Sequence, residues 1–333
     1  MNPKSYIIAG PTASGKSDFA HTLARRIGGV VINCDSVQIY RGIENISASP
    51  FAGKCGMWNL KSGIDEESAH NSTFSIPHSK LENVPYRLFS VLPLTRQISV
   101  AEYLDMARKE YDAAICSGMP AVFVGGTGFY VDALLHGISP IPEISAENRV
   151  RAREMARDYP DAACQLLQGA DPTAGYDRLD PQRMARALEV FLETARPLSE
   201  WQSLPRCGAL DPAPKKILIC PHRNVLAARI AARVSEMMYG GLPPEALAKR
   251  GAMTEARSVI EANWNPERAI GALELVKFIK GEISEKDCLE NWITRTNQYA
   301  KRQRTWFRNR FAADIEIDHI STDADLDAVL GKL

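Results

Sequence analysis

YIIAGPTASGKSDFAHTLARRI, residues 6–27, holds the pattern that decides the fold. The short apolar run Tyr6–Ala9 reads as a buried strand, Gly10–Gly15 as a loop, and the following residues as an amphipathic helix to about Ile27, stopped by Gly28 and Gly29. Within it, GPTASGKS, Gly10 to Ser17, fits G-x-x-x-x-G-K-[ST]. Backbone N–H groups of Gly10, Pro11, Thr12, Ala13, Ser14 and Gly15, proline excepted, would face phosphate oxygens at a helix N-terminus. Lys16 would neutralise a terminal phosphate and Ser17 would place its hydroxyl on Mg²⁺. A strand before and a helix after distinguish this stretch from an empty glycine-rich turn.

Working outward, Val30–Asn33, Ala121–Val124 and Lys216–Cys220 read as further buried strands, and AEYLDMARKEYDAAICSG as a helix ending at Gly118. Strand and helix alternate, so the expected fold is α/β: a P-loop-type parallel sheet with flanking helices. From about Ile144 to Leu204 the periodicity is helical throughout, predicting an inserted all-helical subdomain over residues 141–210. The catalytic core is then expected over 1–140 and 211–333. ADIEID, residues 313–318, is a candidate edge strand. The Ser-, Gly-, Asn- and His-rich stretch Ile46–Val84 reads as a long surface loop.

Forty Lys plus Arg balance forty Asp plus Glu, so average charge neither requires nor excludes a nucleic-acid partner. Seven scattered cysteines show no CxxC pair, which suits free thiols. No apolar run reaches bilayer-spanning length. A cytoplasmic protein without a membrane partner is expected, acting as a monomer.

An ATPase or GTPase carries an acid after a further strand. Here AVFV runs into Gly125-Gly126-Thr127-Gly128 without a carboxylate, and the acid follows the second strand instead, in NCDSVQIYRG. Asp35 at the carboxyl edge of the sheet suits either a base acting on an acceptor or a cap on the following turn. Gln38 adds a side chain able to contact adenine bidentately. Near the C-terminus Arg295, Lys301, Arg302, Arg304, Arg308 and Arg310 share one segment with Tyr299, Trp306 and Phe307, a composition suited to an RNA-facing surface.

Five separated blocks, GPTASGKS, CDSVQIYRG, VGGTGFYVDALLHG, DPQRMARALEV and TRTNQYAKRQRTWFR, resemble the tRNA dimethylallyltransferases in order and distance from one end of the chain to the other. The resemblance implies that the loop holds dimethylallyl diphosphate with Mg²⁺. The acceptor is then N6 of the adenosine 3′ of the anticodon in the tRNA anticodon stem-loop. It implies Asp35 as base, with Lys16, Arg223 and Thr127 as catalytic partners. It further implies RNA contacts from Asp35, Ser36, Val37 and Gln38, from Gln182, Arg183, Met184, Ala185 and Arg186, and from Arg295, Lys301 and Arg302.

Two blocks depart from the family: Pro85-Tyr86-Arg87-Leu88 stands where Pro-His-His-Leu is usual, and Ile270-Gly271-Ala272 where Ile-Gly-Tyr is usual. The C-terminal zinc finger of animal and fungal members is absent, which points to the bacterial type. The competing readings are prenylation of free AMP, which needs neither the helical insertion nor the basic helix, and a small-molecule kinase using ATP. Met57, Trp58, His70 and His78 match no metal spacing and are assigned nothing.

Overall fold

The computed structural model describes residues 5–52, 79–172, 174–176, 180–239, 251–318, 327 and 331. In chain order the first part runs β1 (Ser5–Ala9), α1 (Lys16–Ile27), β2 (Val30–Asn33), β3 (Ser79–Leu81), β4 (Val84–Arg87), α2 (Val100–Cys116), β5 (Ala121–Gly125) and α3 (Gly128–His136). Helices α4 (Ala146–Asp158), α5 (Pro160–Ala170), α6 (Pro181–Thr194) and α7 (Leu198–Ser203) follow. The chain then continues through β6 (Lys215–Ile219), α8 (Arg223–Tyr239), α9 (Ala252–Glu261), α10 (Ala272–Ile279), α11 (Glu285–Arg310) and β7 (Ile315–Ile317).

Among the described residues seven strands form one sheet in the order β3-β4-β2-β5-β1-β6-β7, parallel throughout except β3, which runs antiparallel to β4. Every residue of β1, β2 and β5 is buried, as expected of parallel strands covered on both faces. Pairing sets Ala9 beside Gly125 and Leu218, and Asn33 beside Val124, so the carboxyl ends of β2 and β6 finish within one residue of the β1 and β5 ends. The tightest crossing lies at Gly125: an ideal Cβ there would sit 1.9 Å from the Cys34 carbonyl oxygen, so only glycine lets the two chain ends approach.

The stretch expected as a surface loop over Ile46–Val84 is more ordered at its described ends. Ile46 and Phe51 are buried, and Ser79–Leu81 pairs with β4 as a short hairpin. The reason is an aromatic cluster: Tyr86 meets Phe51 and Phe89 edge-on at 5.4 Å each, and its hydroxyl is 3.0 Å from His21 Nδ1. Arg87 pairs with buried Glu110 at 3.4 Å. The unusual Tyr86-Arg87 pair therefore completes the β4 edge of the core. Met57, Trp58, His70 and His78 lie outside the described residues.

The chain divides into two compact units, Met1–Asp132 with Asp211–Leu333, and Ala133–Leu210. The second closes on its own core of small residues, Ala152, Ala156, Ala163 and Ala187, around Leu167, Met184 and Leu188. Ser145 caps α4, and Asp180 caps α6 with Pro181 in the first turn, which is why DPQ starts that helix. Among the described residues no helix is long and apolar enough to cross a membrane.

Gly125→Ala is expected to lower the urea unfolding free energy by about 1–3 kcal/mol or more, because the added methyl overlaps the Cys34 backbone. An unchanged unfolding midpoint would contradict the close crossing.

Candidate active site

The loop after β1 is shaped by two left-handed residues, Ala13 at φ 60° and Gly15 at φ 91°. Positive φ at Ala13, a residue with a Cβ, is a local strain of the kind concentrated at ligand sites, and the alternating conformation makes a concave loop; of the N–H groups expected to face phosphate, that of Thr12 donates instead to Gln303 Oε1 at 2.8 Å and that of Ser14 to the Pro11 carbonyl at 3.3 Å. At its base Lys16 is buried and donates to the Pro11 carbonyl at 3.2 Å. The Ser14 hydroxyl is buried without a hydrogen-bond partner. Burial pushes the Lys16 ammonium down to about 8, opposed by the negative charge of Asp35 and reinforced by the positive charge of Arg233.

Two arginines of α8 crowd the same loop. Arg229 donates from Nη1 to the Ser14 carbonyl at 3.3 Å, and half-buried Arg233 interacts electrostatically with Asp35 and Asp18. Arg223, the arginine expected here, opens α8 and is exposed, whereas the residues that reach the loop lie further along the helix. The i, i+4 spacing of RIAAR in the sequence places Arg229 and Arg233 on one helix face, a signal as legible as the arginine at the helix start.

Two strands along the sheet, at the end of β2, fully buried Asn33 fixes the next turn. Its side chain accepts from Asp35 N–H at 2.9 Å and donates to the carbonyls of Asp35 and Leu88. Asp35 Oδ1 in turn accepts from Val37 N–H at 2.9 Å and Gln38 N–H at 3.4 Å. The capping reading of Asp35 thus holds for one oxygen, and the second carboxylate oxygen keeps its own lone pairs for an acceptor. The Thr127 hydroxyl receives the Ser36 N–H at 3.0 Å and reaches Ser36 Oγ at 3.2 Å, tying the loop after β5 to this turn. Gln38 Nε2 donates to the carbonyls of Ser47 and Ala48, so that amide braces its own loop. Glu255 fastens the same segment by accepting from the N–H groups of Asn45 and Ile46.

Across this edge the geometry brings together a concave loop, the three cations Lys16, Arg229 and Arg233, and the Asp35 carboxylate. A family model described as IPP transferase matches residues 72–310, and a second, isopentenyl transferase, matches residues 3–57. The chain is 34% identical over 93% of its length to a tRNA dimethylallyltransferase of Chelativorans sp. (strain BNC1), covering 97% of that protein. It is 36% identical to one from Rhizobium meliloti, over 91% of each chain. It belongs to the tRNA dimethylallyltransferase family.

Among solved structures it resembles the tRNA isopentenylpyrophosphate transferase of Bacillus halodurans, with TM-score 0.63 and 25% identity over 99% of this chain and 95% of that one. It shares its fold with a eukaryotic dimethylallyltransferase acting on tRNA, at TM-score 0.67 and 23% identity over 92% of this chain and 70% of that one.

The family's expected RNA contacts fare unevenly. Met184 and Ala185 are core residues of the helical unit, since the side of α6 that carries them packs inward. The exposed set there reduces to Gln182, Arg183 and Arg186, with Arg183 paired to Asp180 at 3.3 Å and Arg186 to buried Glu189 at 3.1 Å. Arg295 is drawn to buried Glu274, which also caps Gly271, so its charge is already engaged. Lys301 and Arg302 are exposed, Arg302 lying over the Tyr299 ring at 5.7 Å. Ala272, at the second departure from the family pattern, is buried at the start of α10.

Because the Lys16 charge is held only below about pH 8, inorganic pyrophosphate affinity is expected to fall as pH rises through that value. Lys16→Arg, charged throughout, is expected to flatten the profile; calorimetric titration from pH 6.5 to 9.5 checks this, and a flat wild-type profile would contradict it.

Proposed function

We propose that this protein transfers a dimethylallyl group from dimethylallyl diphosphate to N6 of the adenosine immediately 3′ of the anticodon in tRNA, releasing diphosphate. The carrying observation is the placement of the Lys16 cradle after β1 and the Asp35 turn after β2, at the same edge of the sheet on either side of β5, in a chain of this family. Names borne by the relatives point to the same donor group and the same RNA class.

In the transfer, the allylic C–O bond breaks as the N6–C bond forms, and the electron pair of the broken bond leaves on the diphosphate. Lys16, Arg229, Arg233 and the loop N–H groups other than those of Thr12 and Ser14, which are already bonded, stand ready for that growing charge, and their fixed positions lower the barrier without reorganisation. The adenine amino group gives up one proton. Asp35 is the carboxylate placed to take it, an assistance worth about 10²–10⁴-fold. Buried Asn33 and the Ser36–Thr127 bond hold Asp35 at its post.

The residues fit a Mg²⁺ ion. Its preferred ligands are oxygens, with substrate phosphates and water completing the shell, so one or two protein oxygens suffice. Ser17 is the hydroxyl at the start of α1 that would hold it, and bound there it would draw charge from the diphosphate. Among the described residues no cluster of three His, Cys, Asp or Glu forms an all-protein cage, consistent with a metal bound chiefly through its substrate.

An exocyclic amine inside an anticodon loop reaches a recessed donor only if its base leaves the stack, which single-stranded loops permit at low cost. The exposed Lys301 and Arg302 of α11 and the exposed Gln182, Arg183 and Arg186 of α6 supply RNA-backbone contacts on their respective units.

Incubation with dimethylallyl diphosphate, Mg²⁺ and unmodified tRNA, followed by nucleoside mass analysis, is expected to yield prenylated adenosine. Parallel reactions with AMP or ATP should give none. Prenylated AMP, or phosphoryl transfer from ATP, would contradict the proposal. Arg302→Glu is expected to weaken tRNA binding and to lower the slope of log affinity against log salt by about one or two; an unchanged slope would remove Arg302 from the phosphate contacts.

A further inference from the structure

Gln303 lies in the middle of α11 and is only 5% exposed, although the helix around it is rich in arginine. A buried amide is costly unless both of its ends are bonded. Here both are, and to two different loops: Oε1 accepts the Thr12 N–H at 2.8 Å, and Nε2 donates to the Gly126 carbonyl at 2.8 Å. The donor and the acceptor fix the amide orientation, because a flipped amide would set nitrogen against N–H and oxygen against carbonyl.

The fit leaves no slack. An ideal Cβ at Gly126 would lie 2.4 Å from Gln303 Nε2.

Thr12 belongs to the diphosphate-holding loop. Gly126 precedes Thr127, whose hydroxyl holds the Ser36 N–H of the Asp35 turn. Ladder pairing between β1 and β5 ends at Ala9 and Gly125, and beyond that point the Gln303 amide spans the two loops.

We propose that Gln303 is a positioning residue for the transfer step, setting the separation between the loop that holds the donor and the turn that holds the acceptor. This rests on the proposed function. Gln303 acts through Thr12 and through Gly126–Thr127, leaving the Lys16 cradle and the exposed RNA contacts intact. Its loss should therefore spoil alignment more than either binding event. A reacting pair displaced by about 1 Å loses on the order of 10²-fold in rate.

The test uses the full chain with Gln303→Met, which keeps length and volume but neither donates nor accepts as the amide does. Gln303→Glu provides a second variant that keeps an acceptor for Thr12 and loses the donor to Gly126. Steady-state prenyl transfer to tRNA is measured with separate equilibrium binding of pyrophosphate and of tRNA, and with thermal midpoints.

The expected result is a fall in kcat of about 10²-fold, with each KM and each binding constant within about threefold of wild type. Retained kcat in either folded variant would overturn the proposal. So would a loss carried entirely by weaker binding, which is what a purely structural prop would give. Wild-type protein assayed alongside separates the two claims: absence of transfer by wild type contradicts the proposed function, whereas normal wild-type transfer with unaffected variants overturns the role of Gln303 alone.

Discussion

The nearly level ending of four parallel strands is the constraint on which the site depends. β1 and β5 end together at Ala9 and Gly125 and β2 ends one residue short of them, so three loops distant in sequence start from nearly one line: Gly10–Gly15, Gly125–Gly128 and Cys34–Gln38. Parallel pairing sets the spacing, and the missing side chain at Gly125 permits the last approach to Cys34. The Lys16 loop and the Asp35 turn, the proposed donor and acceptor sites, come to one sheet edge through that register, with no residue of either loop needing to reach far.

Electrostatics then gives the neighbourhood a direction. Burying Lys16 beside Arg233 is unfavourable for the cation, and Asp35 offsets only part of that cost. A polyanionic ligand would relieve the conflict, which is what the proposed donor brings to the loop. The unpartnered Ser14 hydroxyl and the strained Ala13 backbone belong to the same unsatisfied arrangement. In the folded protein the cations and the carboxylate are already in place, which is the condition for catalysis by preorganised charge.

The strand-loop-helix at the N-terminus, the buried strands and the helical insertion were legible because each carries an uninterrupted local signal: an apolar run, a glycine-stopped helix, or 3.6-residue periodicity. Residues whose role is set by a partner far along the chain were not. Thr12 and Gln303 are bonded across almost the whole sequence, and Gln303 stands among arginines that advertise an exposed face. Arg295 sits in the same basic run, yet Glu274 claims it. Met184 and Ala185 fell inside a matching family block whose helix turns them inward. Strands β3 and β4 were missed because one is three residues long and the other contains a proline; the aromatic cluster around Tyr86, not the local pattern, holds them.

The central claim is that Asp35 acts in the transfer itself, at a site where donor and acceptor are already bound. A rapid-quench single-turnover measurement of prenyl transfer tests it most directly, comparing wild type with Asp35→Asn while the protein is saturated with dimethylallyl diphosphate, Mg²⁺ and tRNA. The expected result is a transfer rate lower by about 10²–10⁴-fold in the variant, with tRNA still bound. A transfer rate equal to that of wild type would contradict the account.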